Sequence, residues 1–343
     1  MPIIEVNGLK KTYEAYKKEP GFKGSLKALF KREKIETDAV KGIAFDIEEG
    51  ELVGFLGPNG AGKTTTLKML SGILYPTSGE ATVLGHVPWK RQRAFQKQFS
   101  IVMGQKNQLW WDLPARESFL LNKEIYEVPD DRYEAVVNDL ATKLDVLDIL
   151  DVQVRKLSLG QRMKCELIAA LLHEPKVLFL DEPTIGLDVT SQQTIREFIR
   201  KVNAEKKTTI ILTSHYMDDV EALCERVIVI NNGGIVYDGS LQALKDRHVS
   251  SKVLKVSFQS PIKREQCADL ESSHGITIRK CEATHLELVV PKDQSTEVAR
   301  EILGRFDVDD ILIDEIEIEE VIREVFEETT AKEARVSTSQ ETN

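Results

Sequence analysis

The residues with the clearest chemical potential form a glycine-rich loop that ends in lysine and threonine. The loop fits the pattern G-x-x-x-x-G-K-[ST], and its candidate ligand contacts are Gly57, Pro58, Asn59, Gly60, Ala61, Gly62, Lys63, Thr64 and Thr65. In such a loop the backbone N–H groups surround phosphates, the lysine reaches the β- and γ-phosphates, and the threonine hydroxyl is a ligand for Mg²⁺. The pattern therefore predicts binding of a nucleoside triphosphate together with Mg²⁺.

The flanking sequence predicts the elements that must position this loop. The apolar run Glu51–Leu56 precedes it and is typical of a buried strand, and a helical pattern begins at Thr65. A helix N-terminus offers free N–H donors and a partial positive charge to an anion. The strand–loop–helix order favours phosphate binding over a purely structural glycine turn.

A second motif consists of two adjacent carboxylates at the end of an apolar run. Val177–Leu180 predicts a buried strand, and Asp181 and Glu182 follow it directly. In a doubly wound sheet, ligands bind outside the carboxyl ends of the strands. We expect Asp181 to hold Mg²⁺ and Glu182 to polarise the attacking water as a general base. The alternative for Glu182 is a solvent-facing residue at a helix start.

A third motif opens the helical pattern of residues 163–172. It reads Leu157-Ser158-Leu159-Gly160-Gln161, and a serine and a glycine at a helix start form an anion site, with Ser158 also suited to cap the helix. Taken alone, this segment favours an ordinary capped helix.

The order of the motifs carries more information than each of them alone. The glycine-rich loop is followed by Gln105, the LSLGQ segment, LFLDEP, Gly186-Leu187-Asp188 and Thr213-Ser214-His215. This order resembles the ATP-binding subunits of ABC transporters, over roughly residues 1–245. The resemblance implies an α/β fold, with a P-loop NTPase core, an antiparallel β subdomain and a helical subdomain at about residues 88–165. It also implies hydrolysis of ATP with Mg²⁺.

The resemblance further implies a composite site. In this family the serine–glycine signature of one subunit closes on the ATP held by its partner, which gives a head-to-tail dimer of two copies. The roles implied are partner contacts for Ser158, Gly160 and Gln161, an interface contact for Asp188, contacts to Mg²⁺ and water for Gln105, a γ-phosphate contact for His215, and adenine stacking for Tyr13. Tyr16 is a weaker stacking candidate, and Leu159 replaces the usual glycine while the phosphate-facing groups remain.

Composition limits the class of protein. The chain has 343 residues, four dispersed cysteines and a formal net charge of −10. That charge argues against a nucleic-acid backbone as the main partner, and the cysteines are typical of reduced thiols. There is no run of eighteen apolar residues and no signal-peptide pattern at the start. We therefore expect peripheral association with the cytoplasmic face of the membrane.

Two segments of the chain are additional to the minimal ATPase module. The insert at residues 14–39 is rich in lysine, with Leu26, Leu29 and Phe30 at helical spacing, and either lies on an anionic membrane surface or forms a solvated loop with a short helix. With Trp110 and Trp111, it resembles an ABC-2-type exporter subgroup that works with two separate permease subunits and includes viologen-exporter-like systems. The two tryptophans are interpreted either as part of a permease contact or, for at least one of them, as core packing.

The second segment spans residues 251–329. Its strand and helix patterns follow the order β-α-β-β-α-β, which predicts a ferredoxin-like α+β domain. It lacks ligand or nucleophile spacing, so a dimer-stabilising or regulatory role is favoured over small-molecule sensing. Residues 330–343 have the composition of a disordered tail.

The sequence thus predicts the ATP-hydrolysing subunit of an exporter that acts through separate transmembrane permeases. An importer ATPase remains the alternative. A soluble, non-transport ABC ATPase acting on ribosomes or DNA is disfavoured, because the chain has one cassette and no sustained heptads.

Overall fold

A computed structural model describes residues 2–17, 33–104, 106–214, 216–246, 251–267, 275–315 and 320–323. The chain divides into two units, Met1–Gly239 and Ser240–Asn343, each of which has its own core. Some predicted features lie outside the described residues: the site residues Gln105 and His215, the end of the predicted second domain at 324–329, and the predicted tail 330–343.

The first unit alternates strands and helices after an initial hairpin. Its strands are β1 (Ile4–Lys17), β2 (Glu33–Ile47), β3 (Leu52–Leu56), β4 (Ser78–Val83), β5 (Phe99–Met103), β6 (Val177–Asp181), β7 (Thr209–Thr213), β8 (Arg226–Asn231) and β9 (Gly234–Ser240). Its helices are α1 (Lys63–Leu70), α2 (Arg93–Gln96), α3 (Ala115–Tyr126), α4 (Asp130–Leu144), α5 (Leu159–Leu171), α6 (Val189–Lys206) and α7 (Met217–Leu223).

A six-stranded sheet in the order β5-β6-β7-β3-β8-β9 organises this unit. The pairs from β5 through β8 are parallel, and every residue of β6 and β7 is buried, as expected for strands covered on both faces. Asp181 pairs in register with Thr213, and Thr213 pairs with Phe55. The carboxyl ends of β3, β6 and β7 therefore meet at one edge of the sheet.

A separate antiparallel sheet, with the order β2-β1-β4, forms the antiparallel β subdomain that the resemblance implied. The hairpin of β1 and β2 continues into the insert, over residues 14–17 and 33–39, and pairs Tyr13 with Thr37. A cross-strand ion pair between Lys34 and Glu14 supports the extension, and Lys34 also contacts Glu36 on its own strand. The prediction of a loop is therefore wrong for residues 14–17 and 33–39. The helical spacing of Leu26, Leu29 and Phe30 falls outside the described residues.

The region predicted as a helical subdomain contains α3, α4 and α5, but it also contains a strand that the sequence analysis missed. Residues Phe99–Met103 form β5 and pair with β6 at the edge of the parallel sheet. Burial alternates along this strand, and Ser100 interrupts its apolar run. The core sheet thus reaches into the span at about residues 88–165.

The second unit is an antiparallel sheet with a packed helix. Its elements are α8 (Leu241–Asp246), β10 (Ser251–Phe258), β11 (Thr277–Glu282), β12 (His285–Pro291), α9 (Ser295–Arg305) and β13 (Val308–Glu315). The sheet order is β11-β12-β10-β13, which is the ferredoxin-like arrangement predicted. The first helix of the predicted β-α-β-β-α-β order falls between β10 and β11, where the described residues form a 3₁₀ turn at Arg264–Cys267. In the described parts of both units, no helix has the length and apolar character needed to cross a membrane.

Candidate functional site

The glycine-rich loop joins β3 to α1 at the shared sheet edge. Helix α1 begins at Lys63, two residues before the predicted start, and no side chain caps its first N–H groups. Gly62 precedes it with φ 111°, and a Cβ there would lie 2.4 Å from the Ala39 carbonyl oxygen. Only glycine fits this position. The uncapped N–H donors of α1 are free to bind an anion in the loop.

Lys63 lies across the loop that it terminates. Its Nζ donates to the carbonyl oxygens of Gly57 at 2.6 Å and Pro58 at 3.1 Å, and the residue is 5% exposed. Burial lowers the pKa of Lys63, while the charges of Glu182 and Asp181 oppose that shift. The ammonium group is thus held inside the loop, beside the two carboxylates, where a bound phosphate would supply it with a charged acceptor.

Asp181 is joined to α1 and to β7 by hydroxyl groups. Thr64 Oγ1 donates to its two carboxylate oxygens at 3.0 and 2.9 Å, and Thr213 Oγ1 donates to Oδ1 at 2.8 Å. A threonine hydroxyl and one carboxylate form the oxygen-only donor set that Mg²⁺ prefers, with phosphate oxygens and water completing its shell. These residues therefore fit Mg²⁺.

Glu182 is held in an uncommon backbone conformation. It is 8% exposed and has φ 56°, and its N–H donates to both O and Oγ1 of Thr213 at 3.1 Å. A left-handed conformation costs a non-glycine residue about 1–3 kcal/mol, and such strain concentrates at functional sites. The Gly104 N–H donates to the Asp181 carbonyl at 2.8 Å, so the segment leading to Gln105 runs against this same strand end.

The LSLGQ segment forms the N-terminus of α5. Ser158 caps the helix in a reciprocal arrangement, with Gln161 N donating to Ser158 Oγ at 3.2 Å and Ser158 N donating to Gln161 Oε1 at 3.0 Å. A Cβ on Gly160 would lie 2.3 Å from Ser191 Oγ, so the starts of α5 and α6 touch there. The capped-helix interpretation is therefore correct as local structure, and it leaves an additional binding role open.

Asp188 caps the start of α6 with its side chain. Its Oδ1 accepts from Ser191 N at 2.9 Å and its Oδ2 accepts from Ser191 Oγ at 2.7 Å, and these hydrogen bonds lower the pKa of its carboxyl group. The structure thus brings Gly160 and Asp188 together through Ser191. Tyr13 lies elsewhere, on β1, where the residue is 41% exposed and Lys11 Nζ lies 5.5 Å from the centroid of its ring.

Sequence reasoning missed a buried carboxylate that joins three of these segments. Asp219 is fully buried and accepts hydrogen bonds from Thr184 Oγ1, from Ser214 Oγ at 2.6 Å and from Arg196 Nε at 2.6 Å. Thr184 follows the carboxylate pair, Ser214 follows β7, and Arg196 is on α6. In the sequence, Asp218-Asp219 looks like an ordinary acidic helix start, so no local pattern identified it.

Comparison with known proteins agrees with this geometry. Residues 40–185 match the family described as ABC transporter, and residues 250–314 match the family described as EvrA-like ABC transporter, C-terminal domain. The solved "Structure of ATP binding subunit of ABC transporter" is similar in fold, with a TM-score of 0.60 and 23% sequence identity, over 71% of this chain and 92% of that one.

Two curated relatives are more similar in sequence. The ABC transporter ATP-binding protein NatA of Bacillus subtilis (strain 168) is 35% identical over 68% of this chain and 95% of its own length. The Nod factor export ATP-binding protein I of Rhizobium sp. (strain N33) is 35% identical over 65% of this chain and 72% of its own length. The chain therefore belongs to the family of ATP-binding subunits of ABC transporters and is an ATPase.

Proposed function

We propose that this protein hydrolyses ATP at the edge of its parallel sheet and thereby powers export of a substrate through separate transmembrane permeases. The observation that carries the proposal is the contact between Thr64 and Asp181, with Lys63 and Glu182 beside it. Lys63 binds the β- and γ-phosphates, and Thr64 and Asp181 hold Mg²⁺, with Gln105 as a further ligand. When bound, Mg²⁺ neutralises phosphate charge.

Glu182 acts as the general base in this proposal. Its carboxylate accepts a proton from water as the water oxygen attacks the γ-phosphorus and the bond to the β-phosphate oxygen breaks. His215 holds the γ-phosphate, and Tyr13 stacks on the adenine. The burial of Glu182 supports the role, because a carboxylate removed from bulk solvent interacts more strongly with a bound water.

Each site is completed by a second copy of the chain. Ser158, Gly160 and Gln161 supply the partner's half of the phosphate site, and Asp188 contacts the partner across the interface. The proximity of Gly160 to Asp188 supports this assignment, because both groups belong to one surface formed by the starts of α5 and α6. The two copies pair head to tail, so one dimer holds two ATP molecules.

The permease partners are inferred from names of relatives and from surface chemistry. One relative is named as a Nod factor export protein, which supports export. The assignment of the permeases to the ABC-2 type is part of this proposal. Trp110 is 52% exposed and Trp111 46% exposed, which favours the interface role over core packing for both. Association through the permeases places the protein at the cytoplasmic membrane face, without nucleic acid as a partner. Copurification of exporter permeases without a solute-binding protein would distinguish export from the alternative, import.

The composite site is tested by complementation between two variants. We expect Lys63→Ala to lose ATP affinity, and Ser158→Arg to bind ATP as a single chain but not to hydrolyse it as a dimer. A mixed dimer of the two retains one site with an intact loop and an intact signature, so mixing should restore hydrolysis at one site per dimer. Steady-state ATPase activity measured against the mixing ratio gives the result.

Lys68→Ala, on the same helix as Lys63, serves as the matched control and should leave ATP affinity unchanged. The head-to-tail assignment is wrong if Ser158→Arg alone retains full, cooperative activity, or if mixing restores nothing.

Removal of residues 247–343 tests the role of the second unit. All residues assigned to ATP and Mg²⁺ precede this segment, so ATP affinity should change by less than roughly 1 kcal/mol. Dimer lifetime should fall, because a second interface raises the effective concentration of one subunit at the other. Nucleotide titration and light scattering on the same truncated protein measure both quantities. A large loss of ATP affinity in a folded truncated protein would contradict this division of roles.

A further inference from the structure

A buried carboxyl group on α5 holds the segment that carries the two exposed tryptophans. Glu166 is 3% exposed, and its Oε1 accepts from Gln108 N at 2.8 Å and from Leu109 N at 3.3 Å. Leu109 is itself buried, and Glu166 Oε1 is the acceptor that its N–H finds there. The segment after Gln105 is therefore anchored to α5 through backbone groups, whatever side chains it presents outward.

A second contact joins the same helix to the next part of this segment. The Arg162 guanidinium carbon lies 5.5 Å from the centroid of a Trp111 ring. Arg162 is four residues before Glu166, so the two side chains share one face of α5. Ser158 is four residues earlier again, at the helix start. One row of α5 thus connects the tryptophan segment to the signature serine.

Further hydrogen bonds restrict the segment from its other sides. Trp110 N donates to Ser118 Oγ at 3.1 Å, and Arg155 N donates to the Trp111 carbonyl at 3.0 Å. Arg155 also forms an ion pair with Asp112 at 3.1 Å. The backbone of the tryptophan segment is therefore fixed to α5, to α3 through Ser118 and to Arg155 just before α5.

Glu166 is unusual for its position in the helix. Cys165, Leu167 and Ile168 around it are all fully buried, and burial raises the pKa of Glu166 while the two N–H donors and the Arg162 charge lower it. A buried carboxyl costs free energy unless it is hydrogen-bonded, and its Oε2 has no partner among the described residues. The two backbone N–H groups are the hydrogen-bond donors that offset the burial of this carboxyl.

We propose that Glu166 and Arg162 are positioning residues: they fix residues 108–111 to α5 and thereby hold Ser158 in the position that the ATP of the partner chain requires. The inference rests on the composite site proposed above, and it states which of the two ATP molecules of the dimer Glu166 affects. Because Ser158 completes the site of the partner chain, loss of Glu166 is expected to affect hydrolysis of the ATP held by the other copy. The chain's own loop, with Lys63 and Thr64, is not the group that Glu166 positions.

Complementation with the two earlier variants, Lys63→Ala and Ser158→Arg, tests on the full-length protein whether Glu166 affects the partner's ATP or the ATP of its own chain. Glu166→Leu should bind ATP as a single chain within about twofold of wild type, while its dimer-dependent turnover number falls roughly 5- to 150-fold, the effect of one buried N–H left unsatisfied. Mixing with Lys63→Ala should restore activity, because the mixed site combines the variant's intact loop with an intact signature. Mixing with Ser158→Arg should not.

The opposite pattern overturns the proposal. If Ser158→Arg restores the activity of Glu166→Leu and Lys63→Ala does not, Glu166 acts on its own chain's ATP. Wild-type turnover by Glu166→Leu, or an equal loss of single-chain ATP affinity, also overturns it. Failure of the proposed function is separate, because then the reference pair Lys63→Ala and Ser158→Arg does not complement either.

Two further variants keep the test decisive if Glu166→Leu does not fold. Glu166→Gln retains a carbonyl acceptor for the two N–H groups and should keep turnover within about threefold of wild type. Arg162→Met removes the charge above Trp111 but keeps an apolar stem, and it should show the same complementation pattern with a smaller loss. Rescue of Arg162→Met by Ser158→Arg would contradict the proposal.

Discussion

Glu182→Gln is expected to bind ATP with nearly wild-type affinity and to hydrolyse it about 10²–10⁴ times more slowly, the range for loss of a general base. Glutamine keeps the shape of the side chain and can still hold a water molecule, but its amide oxygen cannot take the proton. The variant should therefore accumulate as an ATP-bound dimer. Nucleotide titration, single-turnover hydrolysis and size-exclusion chromatography with ATP measure the three effects.

The matched control is Glu197→Gln, which changes an exposed glutamate on α6 in the same unit. It should hydrolyse ATP at the wild-type rate. If Glu182→Gln also turns over at the wild-type rate, Glu182 is not the base, and the assignment of the carboxylate pair must change. A loss of ATP binding in Glu182→Gln would instead indicate that the buried backbone at this position has been disturbed.

The part of the site that follows from the sequence is the part encoded by short segments. The glycine-rich loop, the apolar run before Asp181 and the cap at Ser158 each depend on residues within a few positions of one another. Parallel strands then bring their carboxyl ends to one edge, which places Thr64 against Asp181 without any further sequence signal. For these elements, local pattern and known sheet geometry were sufficient.

The parts that the sequence did not predict depend on partners distant in the chain. Strand β5 lies at the edge of the sheet, its residues alternate between buried and partly buried, and its partner β6 is nearly eighty residues later in the chain. Because no neighbouring segment indicates this pairing, the sequence alone assigns the run to the helical region. The extension of β1 and β2 depends on pairing across the hairpin, such as Lys34 with Glu14. Glu166 appears in the sequence as one acidic residue in an otherwise apolar helix, and its backbone partners at residues 108 and 109 could not be read from that pattern.

Asp219→Asn is expected to lower the free energy of unfolding by about 3–5 kcal/mol, the cost of leaving one partner of a buried ion pair without the other. The Arg196 guanidinium would face a neutral amide, and the Nδ2 group of asparagine would point at one of the hydroxyl groups that now donate to Asp219. Denaturant unfolding of the full-length chain measures the change. Turnover should fall as well, because Thr184 and Ser214 fix the segments that contain Glu182 and precede His215.

Two control variants distinguish the effect of losing the ion pair from the effect of a general disturbance of α7. Asp218→Asn changes the exposed neighbour and should shift the unfolding free energy by no more than about 0.5 kcal/mol, as for most surface substitutions. Adding Arg196→Met to Asp219→Asn should recover part of the stability, since no unpaired charge then remains buried. That recovery should not restore turnover, because the hydroxyl groups of Thr184 and Ser214 still lack a carboxylate acceptor. If the two substitutions are simply additive in stability, or if Asp219→Asn is as active as Asp218→Asn, Asp219 does not organise the site.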